Sequence, residues 1–272
     1  MMSGKVAFVT GGNKGIGLAI VRGLAKRHPD WTVLLGSRNK QAGEEVVAGL
    51  KKEGLSNVNP VVVDVCDHGS IQNAKKTVEQ KYKYVDVLVN NAGIAWKGDA
   101  FSEEVAAKTI ATNYYGVLNV TNAFLPIMRK PGARIVNVSS TMSCNALSGC
   151  QKSLQDQFLD PNLTIDKLSK LLEQFIHDVK DTTWSEKGWP KSCYGVSKIG
   201  VSMLTRIMAR DQDKSQILIN CCCPGWVRTD MTGPQAHLTP DEGAVTPLLL
   251  CDLPDDQPTG KLWYQEKVRD WM

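Results

Sequence analysis

Short apolar runs rich in β-branched residues alternate along the chain with amphipathic segments: KVAFVT, WTVLLG, NPVVVDV, VDVLVNN, ARIVNVSS, QILINCCCP and, near the end, GKLWYQEKV. Runs that are apolar at nearly every position belong to strands covered on both faces, and their alternation with helices implies parallel pairing through crossover connections. The pattern predicts a single α/β, doubly wound domain over residues 1–272, with about seven parallel strands and helices on both faces. No internal repeat, low-complexity tract or Pro/Ser-rich linker divides it. At 42% hydrophobic residues the chain can fill one large core.

One stretch breaks the alternation. Residues 141–193 separate a strand ending near Ser140 from a helical segment that carries Tyr194, too long a connection for an ordinary βα loop. Within this insertion Leu168, Leu171, Leu172, Phe175, Ile176 and Val179 recur at helical spacing, so one face of a helix must be buried. Packing within the molecule is the default expectation, with partner binding as the sharper alternative.

The charge balance excludes several functions. With 32 basic and 28 acidic residues interspersed, no Lys/Arg block argues for nucleic acid or an anionic membrane. No apolar run approaches the roughly 20 residues that cross a bilayer. The opening MMSGKVAFVTGG already reads as a strand and a glycine turn, so a soluble protein without a secretory leader is expected. Eight cysteines show no CxxC or Cys/His metal spacing and read as reduced thiols, so no metal is expected. A redox-sensitive thiol among Cys221, Cys222 and Cys223 stays open.

TGGNKGIG follows the first strand and opens a helix. Gly11, Gly15 and Gly17 therefore sit where a tight turn brings backbone N–H groups and a helix N-terminus against a pyrophosphate. At the end of the second strand, LLGSRN, the acid that would bond a ribose 2′-hydroxyl is missing. Arg38 stands there, with Lys40 nearby and Lys14 in the glycine loop, a set suited to a 2′-phosphate and hence to NADP. Asp64, the NNAG at 90–93 and the Ser139, Ser140 pair fall at later strand ends, where the ligand crevice lies. Asp64 suits either an adenine amino group or a loop or helix cap.

CYGVSKIG puts Tyr194 and Lys198 four apart, on one face of a helix. A phenol titrates near pH 10, and an ammonium one turn away favours its phenolate. Ser140 can hydrogen-bond a substrate carbonyl, and Asn113 in TNYYG can order a water behind Lys198.

TGGNKGIG, NNAG, the Asn113 segment, NVSS, YGVSK and CPGWVRTD, in this order, resemble the short-chain dehydrogenase/reductase family with its Rossmann domain. NNAGIA, NVSSTMS, KGWPKSCYGVSKIG and CCPGWVRTDM resemble more closely the NADPH-dependent cytosolic carbonyl reductases within it. The resemblance covers essentially the whole chain. It implies that Tyr194 is the catalytic acid, that Lys198 lowers its pKa and bonds the nicotinamide ribose, that Ser140 orients the carbonyl, and that Asn113 holds a proton-relay water. It implies cofactor contacts at Asn13, Lys14, Ile16, Arg38, Asp64, Val65, Asn91, Gly93, Val227 and Thr229, with Pro224 and Gly225 turning toward the nicotinamide. It further implies a cytoplasmic monomer, with the insertion covering a surface that tetrameric relatives use to associate. One departure is that relatives carry a second arginine after Arg38 where this chain reads NKQA, so NADP preference is expected to be softer.

Trp96, Met142, Trp226 and Met231 flank the reactive motifs and would make an apolar pocket mouth for quinones and aromatic aldehydes or ketones, although each suits a core position equally. The expected partner is thus a small carbonyl substrate reduced to an alcohol with NADPH. Alternatives are a narrower steroid, prostaglandin or pteridine reductase, and a non-catalytic NADPH sensor.

Overall fold

The computed structural model describes residues 4–98, 100–213 and 216–272. Its centre is an eight-stranded sheet built from β1 (Val6–Val9), β2 (Thr32–Ser37), β3 (Val58–Val62), β4 (Val87–Asn90), β5 (Ala133–Val138), β6 (Ile217–Cys223), β7 (Leu262–Tyr264) and β8 (Lys267–Arg269), in the order β3-β2-β1-β4-β5-β6-β7-β8. All pairings are parallel except the last, which is antiparallel.

The strand alternation feeds two cores. Phe8, Leu34, Leu88, Ile135 and Ile219 point to one face of the sheet, and Ala7, Val9, Val33, Val87 and Val136 to the other. The second face is covered by α1 (Gly15–Arg27), α2 (Lys40–Lys52) and α10 (Pro240–Cys251). The first receives α3 (His68–Tyr82), α4 (Glu103–Ile110), α5 (Gly116–Phe124) and α9 (Cys193–Asp211). A π-helical turn, Ala111–Tyr115, joins α4 to α5.

GKLWYQEKV, read as one strand, folds into a hairpin. Gln265 and Glu266 take φ of 49° and 62°, reversing the chain between β7 and β8, so the sheet has eight strands and one antiparallel edge. Neither turn residue is glycine, which hides the turn from the sequence. Lys267 and Arg269 place charge on this open edge.

The insertion contains α6 (Met142–Ser148), α7 (Lys152–Leu159) and α8 (Ile165–Lys180). Leu168, Leu172, Phe175 and Val179 of α8 are buried in the first core, with Leu171 and Ile176 packed at its margin. The apolar face therefore goes inward, onto α4 and α9. Polar ties hold it there: Tyr115 donates to Glu173 at 2.6 Å, the Tyr114 and Ser169 hydroxyls meet at 2.8 Å, and the Trp189 indole donates to buried Asp178 at 2.8 Å.

The chain runs outward from β1 through β2 to β3 and then returns to β4 on the other side of β1. That reversal opens a crevice at the carboxyl ends of β1 and β4, the usual ligand position of an open α/β sheet.

Candidate active site

The glycine loop leaves β1 at this crevice. Gly11 and Gly15 adopt φ of 63° and 54°, in the left-handed region. A Cβ at Gly17 would lie 2.1 Å from the Gly11 carbonyl oxygen, so the turn closes only with glycine there. The ends of β1 and β4 are tied together. The Thr10 hydroxyl accepts from the Asn91 and Ala92 amides, and the Asn91 side chain donates to the Thr10 and Gly11 carbonyls at 2.9 and 3.1 Å. The Asn91 amide is thus a brace for the loop. Thr10, which the sequence reading passed over, is signalled only by its place one residue before Gly11.

Around the loop, Asn13, Gly15 and Ile16 are partly buried, and Lys14 is exposed. Lys14 pairs with Asp230 at 2.6 Å, and a Cβ on Gly15 would come 3.2 Å from the Thr229 methyl. The segment with Pro224, Gly225, buried Val227 and Thr229 therefore faces the glycine loop across the crevice mouth. Arg38 is exposed at the end of β2, while Lys40 leans toward Glu44 at 3.9 Å. Asp64 accepts from the Cys66 amide at 2.9 Å as a loop brace, whereas the cap of α3 is Asp67. Val65 is buried against Gly116.

α9 is capped by Ser192, whose hydroxyl accepts from the Gly195 amide, and its first turns carry Tyr194 and Lys198. Lys198 is buried, and its ammonium donates to the Val138 carbonyl at 2.8 Å, fastening it under the end of β5. It lies 5.6 Å from the centre of the Tyr194 ring. Desolvation pulls the Lys198 pKa down to about 8. Burial pushes the Tyr194 phenol up to about 12, with a hydrogen bond to Ser140 acting in the opposite direction. Burial outweighs that hydrogen bond, and the phenol is a protonated donor at neutral pH.

Ser140 and Ser139 part company at the tip of β5. Ser139 bonds inward to Ser202 at 2.8 Å, and Ser202 donates to Ser143 at 3.1 Å. Ser140 accepts from the Met142 amide and stays next to Tyr194. This buried hydroxyl chain of Ser139, Ser202 and Ser143 has no sequence signal beyond serine at helical spacing.

Asn113 sits in the π-helical turn. Its side chain accepts from the Ile94 amide at 2.8 Å and donates to the Ile94 carbonyl and to Ser197 at 2.9 and 3.0 Å. Both amide hydrogens are thus engaged with protein, and a Cβ on Gly93 would lie 3.1 Å from the Asn113 oxygen. The residue clamps the loop after NNAG to α9.

Trp96, Met142 and Trp226 are exposed, which removes the core alternative for them; Met231 is partly buried. Trp96 shares a cavity of about 290 Å³ with Tyr194, whereas Met142, Trp226 and Met231 do not line it. A larger opening, about 610 Å³, lies over β3 between α2 and α3, away from Tyr194. The thiols of Cys221, Cys222 and Cys223 are buried, and burial lifts Cys221 to about 12 and Cys222 well above its ordinary value. These two behave as small apolar groups.

The family model described as short chain dehydrogenase matches residues 5–151 and 184–238. The stretch it leaves out, residues 152–183, holds α7 and α8, so this part of the insertion lies outside the family match. The chain is 45% identical to "Carbonyl reductase [NADPH] 1" of Homo sapiens over 274 residues, 98% of each protein. Among solved structures it matches salutaridine reductase from Papaver somniferum with a TM-score of 0.87 at 27% identity, covering 96% of this chain and 99% of that one. It matches an NADPH-bound carbonyl reductase from chicken fatty liver with a TM-score of 0.72 at 27% identity, covering 98% of each. The family match spans β1 to β6, the glycine loop and the helix of Tyr194 and Lys198, and on that match the chain belongs to the short-chain dehydrogenase family.

Proposed function

We propose that this protein is an NADPH-dependent carbonyl reductase that converts quinones and aromatic aldehydes and ketones to alcohols, with Tyr194 as general acid. Support comes from the full-length similarity to proteins named carbonyl reductase [NADPH] and, at the residue level, from Ser140, Tyr194 and Lys198 meeting at one strand end. That convergence is the observation that carries the reading.

The crevice fits the cofactor. The glycine loop leads into the N-terminus of α1, whose first-turn N–H groups suit a pyrophosphate, with Lys14 in the loop and Arg38 at the end of β2, where no acid stands. NADPH, when bound, supplies the hydride. Ser140 donates to the carbonyl oxygen and holds it beside the phenol. Tyr194 gives up its proton to that oxygen as charge develops there. The Lys198 ammonium, fixed by Val138, stabilises the phenolate left behind. Because both Asn113 amide hydrogens are engaged, this residue serves the site by clamping the Ile94 loop, and a relay water would meet it at an oxygen. The exposed Trp96 ring, which shares a cavity with Tyr194, favours flat aromatic substrates. The same reading has the protein acting as a cytoplasmic monomer.

Replacement of Tyr194 by Phe tests the assignment. NADPH oxidation with menadione and 4-nitrobenzaldehyde should fall by roughly a hundredfold or more. NADPH binding, read by fluorescence, should change little. Residual turnover near the wild-type rate would remove Tyr194 from its role, and a wild-type protein inactive on every carbonyl offered would favour a cofactor-binding protein without catalysis.

A further inference from the structure

The cavity that Trp96 shares with Tyr194 is also lined by Phe101, Val105, Thr109 and Lys191. At about 290 Å³ it is near the lower bound for small-molecule pockets, room for one substituted aromatic ring. Since Tyr194 forms part of its wall, a group held there belongs to the molecule whose carbonyl Tyr194 protonates.

Among the described residues the lining mixes polar and apolar groups and carries one charged side chain, Lys191. Trp96, Phe101 and Val105 supply the apolar surface, and the Thr109 hydroxyl is turned away, donating to the Val105 carbonyl at 2.6 Å. Cys193, also in the wall, is kept as a thiol by burial, which lifts it to about 11. Two neighbouring cations are committed. Lys108 pairs with Glu104 and lies over the Trp96 ring, and Lys180 pairs with Glu103. Lys14 pairs with Asp230, which it holds below the usual carboxylate range, with Lys97 adding to the effect. Among the described residues Lys191 has no carboxylate within ion-pair distance, and it stands exposed at the cavity, three residues before the catalytic phenol.

We propose that this cavity is a substrate subsite for carbonyl compounds that carry a carboxylate on an aromatic body, with the carboxylate paired to Lys191. The inference rests on the reductase reading above and narrows its substrate class. Trp96, Phe101 and Val105 take the ring, and a cation at the edge of the cavity favours an acid over its neutral analogue.

The test compares 4-formylbenzoate and 4-(4-formylphenyl)butanoate, each against its methyl ester, in wild type, Lys191→Ala, Lys191→Glu and Lys97→Ala. The readout is the ratio of kcat/KM for acid to that for ester. In wild type the ratio should exceed one for at least one pair and fall as salt is added. Lys191→Ala should lower it roughly fivefold, and Lys191→Glu should lower it further, to roughly a tenth of wild type or below. Lys97→Ala should leave it near the wild-type value. A ratio that Lys191→Glu does not change, or that Lys97→Ala lowers more than Lys191→Ala, overturns the subsite while leaving ester reduction intact. Failure of wild type to reduce either ester removes the reductase reading itself, and the subsite with it.

Discussion

Lys198 carries the sharpest conflict between stability and chemistry. Its ammonium is buried, with one protein acceptor at 2.8 Å, and its pKa is drawn from an ordinary 10.5 to about 8. A folded-state pKa below the unfolded one means that the unfolded chain holds more protons between those values. The burial penalty is therefore full at neutral pH and fades as pH rises through that window. Lys198→Met removes the cation at similar length. We expect it to stabilise the fold by about 1–3 kcal/mol at neutral pH and to cut carbonyl reduction by roughly a hundredfold or more. Denaturant unfolding at neutral and alkaline pH checks the sign, since the gain should shrink toward alkaline pH. The sequence makes the meeting of Tyr194 and Lys198 legible because four-residue spacing is local. It hides the depth at which Lys198 lies, because the Val138 carbonyl that receives it is 60 residues away. Asn113 is legible as a polar residue of the site, but its clamp on Ile94 appears only once the π-helical turn and the loop after β4 are brought together.

At the scale of the element, α8 explains why α9 carries a glycine where it does. A Cβ at Gly200 would meet Leu172 Cδ1 of α8 at 2.7 Å and Tyr114 Cδ2 at 3.0 Å. The insertion thus rests directly against α9, two residues beyond Lys198. Two effects compete at this position. Alanine gains about 1 kcal/mol of helix propensity over glycine, and a moving Leu172 side chain can yield a few tenths of an ångström. A β-branched residue cannot be accommodated that way. Gly200→Ala should therefore change stability by less than about 1 kcal/mol, whereas Gly200→Val should destabilise by about 1–3 kcal/mol through overpacking. Hydrogen exchange locates the damage: protection should be lost first in α8, which the added methyl groups push outward. The periodicity of Leu168, Leu172, Phe175 and Val179 makes this helix and its buried face legible, while its target on α4 and α9 depends on contacts across the fold.

For the whole molecule the question is what the covered face does to assembly. The parallel sheet follows from the alternation of strands and helices, a signal spread over the chain and therefore robust. The hairpin of β7 and β8 does not, because Gln265 and Glu266 turn without glycine. Oligomeric state lies further still from the sequence, since it depends on which surface the insertion occupies. Here α8 lies on α4 and α9, and Tyr115, Glu173, Lys180 and Glu103 tie its polar side to the family core. A second copy approaching that surface would meet the outer face of α8, where Asp166, Lys167 and Lys170 are exposed. Charged, solvated residues are costly to bury unpaired, and this face offers no apolar patch to offset the cost. Sedimentation should therefore give a single species at monomer mass across the micromolar range, unchanged by salt. A stable tetramer would show that assembly proceeds through α8 or around it, and would separate the role of the insertion from that of a cover.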